Sequence, residues 1–328
     1  MAAQDQPPGE FELIARYFDR GKMGARIDLG IGDDCALIDG PPGYQWAVTS
    51  DMLVEGVHFL PATDPESLGH KALAVNLSDL AACGATPRCH FLALALPRAD
   101  KGWLEAFARG MHALADRHAC VLAGGDTTRS PSGVTISITA IGEVARGRAL
   151  LRSGAKPGDA IWVSGTLGDA ALGLAWLQGT LARDAQAPAD AIRRLERPEP
   201  RIELGARLAS VASSAIDVSD GLAGDLGHIL ARSRVGARVQ WASVPRSPEL
   251  RRLDESRQRQ LALAGGDDYE LLFTAPDGAS EAVLAAGRDA RLPVTRIGTI
   301  VAGAGLAAVD TDGRAVDMDA RAFDHFRP

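Results

Sequence analysis

The clearest periodic signals along the chain are helical. Ser67–Ala82 is rich in Ala and Leu; Asp64 before it is a good N-cap, Pro65 suits the first helical position, and Gly84 stops it. Trp103–His118 reads as a helix, and Gly9–Phe18 places Phe11, Ile14, Ala15 and Phe18 on one helical face. Strand signals alternate with these. Trp46–Ser50 reads as a strand that ends at Asp51, Phe91–Leu96 as another, and Val134–Val144 alternates β-branched and small residues. Past an Arg/Gly/Pro-rich stretch at 146–159 the alternation resumes. Strands are expected at Ala160–Ser164, Ala237–Trp241, Tyr269–Thr274 and Val294–Ile300, with helices after Gly168, near Leu222–Ser233 and at Ser280–Ala290. Gln178–Asp190 reads as a surface loop or a frayed helix end. The pattern predicts an α/β protein of two domains, each a mixed β-sheet packed with helices, divided into 1–147 and 148–328.

Composition narrows the class. With 328 residues, 46% of them hydrophobic, the chain can bury a sizeable core, which excludes wholesale disorder. The formal net charge is −7, and only Lys22, Lys71, Lys101 and Lys156 are lysines; the arginines are scattered. A protein that coats nucleic acid needs a basic face, so no nucleic-acid partner is expected. The N-terminus shows no basic and apolar leader pattern, and no run of about 18 apolar residues occurs to span a membrane. Cys35, Cys83, Cys89 and Cys120 lack CxxC spacing and read as small core residues. A soluble cytoplasmic protein is expected.

The usual nucleotide and hydrolase signatures, GxxxxGK[ST], GxSxG and HExxH, are absent. Aspartate beside glycine or serine recurs instead: Asp33-Asp34, Asp51, Asp79, Asp126, Asp217, Asp220 and Asp267-Asp268. Any one of these is ordinary turn chemistry. As a set they follow apolar runs, and carboxylates at strand ends of α/β proteins collect where ligands bind. Asp79 lies in a helix's last turn, where the macrodipole disfavours a carboxylate by roughly 0.3–1 kcal/mol. It shares a face with Asn76, and an oxygen ligand for a cation is favoured over a solvated helix end. Clustered carboxylates repel unless a cation or protons join them, and all-oxygen ligands favour magnesium, calcium or manganese over zinc. His70, His112, His118 and His228 read as helix-surface residues; His58, after Val54-Glu-Gly-Val57, stands apart. Ala123–Arg129 (AGGDTTR) reads as a glycine-rich turn whose N–H groups, Asp126 and threonine hydroxyls suit a metal-chelated polyphosphate, although a tight turn explains GGD equally well.

These segments, GIGDDCALI (30–38), VTSDMLVEGVHF (48–59), KALAVNLSDLAACGA (71–85), GGDTTR (124–129), LLRSGAKPGD (150–159), AIDVSDGLAGDLGHI (215–229) and GGDDYELLF (265–273), stand in one order. Together they resemble the thiamine-monophosphate kinases, of the superfamily that includes aminoimidazole ribonucleotide synthetase. The likeness runs from Gly9 to Phe323-Asp-His-Phe326. It implies the aminoimidazole ribonucleotide synthetase-like fold, ATP-dependent phosphorylation of thiamine monophosphate with several Mg²⁺ ions, and a homodimer joined through its N-terminal sheets near the nucleotide. Residue by residue, it implies Asp34, Thr49, Ser50, Asp51, Asp79, Asp126, Asp217 and Asp220 as magnesium-binding positions. It likewise implies Gly125, Asp126, Arg152 and Ser219 as nucleotide contacts, and His58, Asp267 and Phe323 as contacts to the thiamine phosphate. Two positions depart from the family pattern: Asp267 stands where Glu is frequent, and Phe323 where relatives carry Tyr.

The implied nucleophile is a phosphate oxygen, largely anionic at neutral pH because a phosphomonoester's second pKa is about 6. No general base is needed, so no catalytic His or Lys is expected. Two rivals remain. A selenophosphate synthetase would want a reactive cysteine in a glycine-rich N-terminal loop, and no cysteine precedes Cys35. A non-catalytic calcium-binding module would show calcium-dependent stability and no response to nucleotide.

Overall fold

The computed structural model describes residues 26–181, 188–310 and 312–316, together with Glu12, Ile14 and Arg16. Most of the 9–18 segment and the whole 323–326 end, Phe323 included, lie outside the described residues.

Helix α1 (Pro65–Ala82) starts as the sequence predicts: the Asp64 carboxylate accepts the Ser67 N–H at 2.9 Å, and Pro65 occupies the first turn. Ala, Leu and Val recur on all its sides, and a helix of that kind is stable only when it is enclosed on every side. It is. One side lies on the first sheet, where Leu73, Leu77 and Leu80 meet Ile136 and Ile138; at its far end Ala81 and Ala82 join a core with Leu204, Leu208 and Phe273 of the second half. Helix α2 (Lys101–Arg117) crosses α1 at paired glycines. A Cβ on Gly69 would come within 2.0 Å of the Phe107 carbonyl, and one on Gly110 within 1.8 Å of the Glu66 carbonyl.

The first sheet holds β1 (Ile27–Leu29), β2 (Ala36–Asp39), β3 (Tyr44–Val54), β4 (Thr86–Leu96), β5 (Val121–Arg129) and β6 (Thr135–Ala145), in the order β1-β2-β3-β6-β4-β5. All its pairings are antiparallel except β4 with β5. The second sheet holds β7 (Ala160–Ser164), β8 (Ser214–Asp217), β9 (Gly236–Gln240), β10 (Leu271–Ala275), β11 (Val294–Val301), β12 (Gly305–Val309) and β13 (Ala315–Val316). Its order is β13-β12-β9-β11-β7-β10-β8, with β9 and β12 the parallel pair. Around it lie α3 (Asp169–Leu177), α4 (Ala189–Glu196), α5 (Ile202–Leu208), α6 (Leu222–Ser233), α7 (Glu255–Ala264) and α8 (Ser280–Asp289). The two mixed sheets packed with helices are the architecture expected from the alternation of patterns.

Three expectations are corrected. Asp51 does not end a strand: β3 continues to Val54, paired with β6 along its whole length, because Met52–Val54 keep the alternation going. Gly124–Arg129 is not a turn but part of the edge strand β5, parallel to β4, and Gly125 serves close approach: a Cβ on it would lie 1.8 Å from the Leu92 carbonyl. His70 is not a surface residue: it is 2% exposed, with Nε2 at 2.7 Å from the Pro198 carbonyl. Among the described residues no helix is long and apolar enough to cross a membrane.

Candidate active site

Between the two halves lies a cleft of about 930 Å³. Strand β3 and α1 form one wall; the turn after β8, helix α3 and the 265–269 segment form the other. Helix α1 reaches both sides of the site because its polar residues fall on two faces. Lys71, Val75 and Ser78 follow i, i+4, i+7 spacing toward the second half, and Asn76 and Asp79 are turned toward β3. Ser78 Oγ donates to Asp217 Oδ2 at 2.6 Å. The Asn76 amide oxygen accepts the Asp51 N–H at 3.2 Å, and Thr49 Oγ1 donates to the Asp79 carboxylate.

The Gly30–Cys35 tip between β1 and β2 brings Asp34 to the same place. The Asp33 carboxylate holds this tip to the inter-domain segment by accepting the Arg152 N–H at 3.1 and 3.2 Å. Asp34 Oδ1 pairs with Arg152 Nη2 at 2.9 Å, while Asp34 Oδ2 is buried with no hydrogen-bond partner among the described residues. Arg152 is therefore no solvated linker residue. Carboxylate oxygens of Asp34, Asp79 and Asp217 all lie within 4.8 Å of one another.

That proximity shows in the proton affinities. Burial, then Asp34 and Asp220, pushes Asp51 up to about 6. Burial followed chiefly by Asp34 pushes Asp217 up to about 8. Asp79 is raised well above the usual carboxylate range by burial and by Asp51, Asp217 and Asp34. For Asp34, burial raises the carboxyl against the opposing pull of Arg152. Such a cluster, ionised in a low-dielectric interior, needs positive charge beyond one guanidinium. Asp34, Asp51, Asp79 and Asp217, with a carboxylate oxygen left unbonded, fit hard divalent cations with oxygen coordination. Nothing about the donor set suits a thiophilic metal.

The remaining sequence-predicted residues divide by location. Ser219 and Asp220 line the cleft, their N–H groups both bonded to Asp225 Oδ2 at 3.1 Å, so the buried Asp225 shapes the turn. Thr49 and Asp51 face α1, but Ser50 points to the far face, where its Oγ meets Thr139 Oγ1 at 2.9 Å. Ser50 thus offers the cleft its backbone. Asp126 sits opposite Ala93, on that same far face, and its Oδ1 accepts the Thr127 N–H. Asp51, Ile138, Leu92 and Gly125 stand abreast across β3-β6-β4-β5, so Gly125 is three strand spacings, about 14 Å, from Asp51. Within one chain, Gly125 and Asp126 are not brought to the aspartate cluster.

His58 and Asp267 close the other end of the cleft. His58 Nδ1 accepts the Val54 N–H at 3.0 Å, which puts the proton of a neutral ring on Nε2. Asp267 takes the Tyr269 hydroxyl on Oδ1 at 3.1 Å and Lys71 Nζ on Oδ2 at 3.2 Å. Its neighbour Asp268 plays a different part, since it is buried and accepts the Gly168 and Ala170 N–H groups, capping α3. Lys71, Ser78, Tyr269 and Asp225 were not among the residues singled out from sequence. The available signal was a lysine and a serine inside a helix rich in Ala and Leu. Asp225 and Tyr269 stand within the 215–229 and 265–273 segments, but their residue types alone do not mark them out there.

Residues 32–144 match the family described as AIR synthase related protein, N-terminal domain, and residues 156–311 match its C-terminal domain. A thiamine-monophosphate kinase of Salmonella typhimurium is 48% identical over 322 residues, covering 97% of this chain and 98% of that protein. One from Bacillus subtilis is 36% identical over 325 residues, covering 97% and 99%. The crystal structure of thiamine-monophosphate kinase from Stenotrophomonas maltophilia K279a superposes with a TM-score of 0.78 at 50% identity, covering 94% of this chain and 98% of that one. AaThiL complexed with AMPPCP and TMP superposes with a TM-score of 0.84 at 31% identity, covering 99% of both chains. With a two-sheet fold, an oxygen-rich site between the halves and relatives matched end to end, the chain belongs to the thiamine-monophosphate kinase family of AIR synthase related proteins.

Proposed function

We infer that this chain transfers the γ-phosphoryl group of ATP to thiamine monophosphate, giving thiamine diphosphate and ADP. The observation that carries the reading is the cluster of Asp34, Asp79 and Asp217 in an inter-domain cleft, in a chain whose relatives of this name match it along its length. A phosphate oxygen of the acceptor forms the new P–O bond as the bond between the γ-phosphorus and the β–γ bridging oxygen breaks; ADP leaves with that electron pair. The acceptor oxygen is already anionic, so what the chain itself must do is align two polyanions and tolerate their charge. Mg²⁺ held by Asp34, Asp51, Asp79 and Asp217 would supply that neutralisation. Arg152 adds fixed positive charge beside Asp34, and Ser219 and Asp220 shape the nucleotide side. His58 and Asp267, which line the other end of the cleft, receive the acceptor. Direct transfer without a phosphoenzyme is expected, because an acceptor oxygen that is already anionic needs no covalent relay on the chain.

The N-terminal domain, 1–147, is read as the ATP- and Mg²⁺-binding and dimerisation unit, and 148–328 as the unit that completes the nucleotide and acceptor sites. The far face of the first sheet supports a homodimer: Met52 is 56% and Phe91 39% exposed, and the edge strand β5 exposes Val121. Gly125 and Asp126 lie on that same edge strand, which supports a reading in which the nucleotide binds near the association. A cytoplasmic enzyme with no membrane or nucleic-acid partner fits the acidic chain. Incubation with ATP, Mg²⁺ and thiamine monophosphate should yield thiamine diphosphate by chromatography, with none from free thiamine. Ping-pong kinetics, or protein labelled by γ-labelled ATP, would overturn direct transfer.

A further inference from the structure

We propose that Lys71 is a positioning residue for the acceptor substrate: it locks Asp267 and the His58 loop into one wall and so sets the affinity for thiamine monophosphate. The inference rests on the kinase reading of the cleft.

Lys71 is 2% exposed, on a helix whose enclosure favours Ala and Leu at every position. Burying an ammonium is costly unless it is paired and hydrogen-bonded, so its presence there is explained by what it touches. It touches both halves of the molecule. Nζ lies 3.2 Å from Asp267 Oδ2 in the second half and 3.4 Å from the His58 carbonyl oxygen in the first. The two groups it joins are the ones placed to receive the acceptor.

Each partner also has contacts of its own. Asp267 also accepts the Tyr269 hydroxyl, and its N–H donates to the Ser219 carbonyl at 2.8 Å. Asp267 and Tyr269 have φ of +69° and +50°, left-handed conformations that persist only where the surroundings over-determine them. His58 is fixed through its ring by Val54. Between these groups lies a small pocket of about 70 Å³, lined by Lys71, His58, Asp267, Thr63, Leu174 and Glu196, at the end of the larger cleft. Without Lys71, the Asp267 carboxylate keeps only the tyrosine on its side chain, and nothing else charged ties it to the His58 loop among the described contacts.

A lysine that served only as an inter-domain strut would affect both substrates alike or neither. Steady-state kinetics separates the two roles. Lys71→Met should raise KM for thiamine monophosphate about tenfold or more while KM for ATP stays within about twofold, the scale of a lost charged hydrogen bond. Lys71→Gln, which retains an N–H donor, should fall between wild type and Lys71→Met, and it carries the test if Lys71→Met fails to fold by circular dichroism. The Lys71→Met/Asp267→Asn double variant should be little worse than the poorer single one, since both remove one interaction. Parallel rises in both KM values, full additivity, or an unchanged KM for thiamine monophosphate would overturn the proposal. Wild type is assayed first. No conversion of thiamine monophosphate by wild type removes the kinase reading itself, whereas wild-type conversion with an unresponsive Lys71→Met removes only the role of Lys71.

Discussion

Asp79 concentrates the chemistry of the site into one residue. It is raised well above the usual carboxylate range because burial and three neighbouring aspartates all oppose its charge. Ionised without a counter-charge, such a residue works against the fold, the trade expected of a ligand-binding site. Asp79→Asn keeps an acceptor for Thr49 and removes one like charge from the cluster. We expect kcat to fall about a hundredfold or more, on the scale of removing one electrostatic stabiliser from an active site. The melting temperature of the ion-free protein should rise at pH 8. Wild-type turnover in that variant, or a lower melting temperature, would contradict the assignment. The adjoining aspartates of the 265–268 segment show how one motif divides: Asp267 faces the cleft, and Asp268 is a buried helix cap.

At the scale of elements, the contact between α1 and α2 is the most constrained. Gly110→Ala drives a methyl group into the Glu66 carbonyl, and overpacking of this sort costs about 1–3 kcal/mol. Urea unfolding should show that loss, and with it a lower occupancy of the cleft's geometry in warm solution. The long elements were legible because their signals are local. Asp64, Pro65 and Gly84 bracket α1, and β6 alternates along its length. The elements that escaped have weak local signals. β8 is four residues, and α7, ESRQRQLALA, shows little periodicity and rests on the Asp254 cap at the Arg257 N–H. The chemistry of the aspartates was legible as a set, since their residue type limits the ligands they accept. Which of them meet was not: strand parity turns Ser50 and Asp126 away from Asp51, and parity depends on pairings far apart in the chain. Lys71 escaped for the same reason, because its partner is 196 positions along the chain by the subtraction 267 − 71.

For the whole molecule, two expectations follow from charge and from symmetry. An unfolded aspartate loses its proton near about 3.9. In the folded chain Asp51 does so at about 6 and Asp217 at about 8. Across that window the folded state holds protons that the unfolded chain has released, so the contribution of these groups to stability falls as pH rises. The ion-free protein should lose melting temperature between pH 6 and pH 8, and Mg²⁺ should raise it more at pH 8 than at pH 6. A flat response in both series would mean that the cluster does not bind the ion as a charged group. Symmetry supplies the other expectation. If a second copy brings Asp126 to the cluster, Asp51→Asn and Asp126→Asn, each inactive alone, should regain roughly a quarter of wild-type activity when mixed and allowed to exchange subunits. Half the dimers would then carry one intact site and one doubly altered site. No recovery after demonstrated exchange would mean that a second copy does not bring Asp126 to the cluster.

Helix α1 also acts as a gauge. From Lys71 to Asp79 is eight residues, which at 1.5 Å each sets the proposed acceptor end and the proposed ion end about 12 Å apart along its axis. The same run fixes their relative bearing, since each residue turns the helix by about 100°. Span and bearing are therefore locked together by one ladder of backbone hydrogen bonds. A single inserted or deleted residue between these two positions would swing Asp79 away from β3 or Lys71 away from Asp267, whatever its side chain.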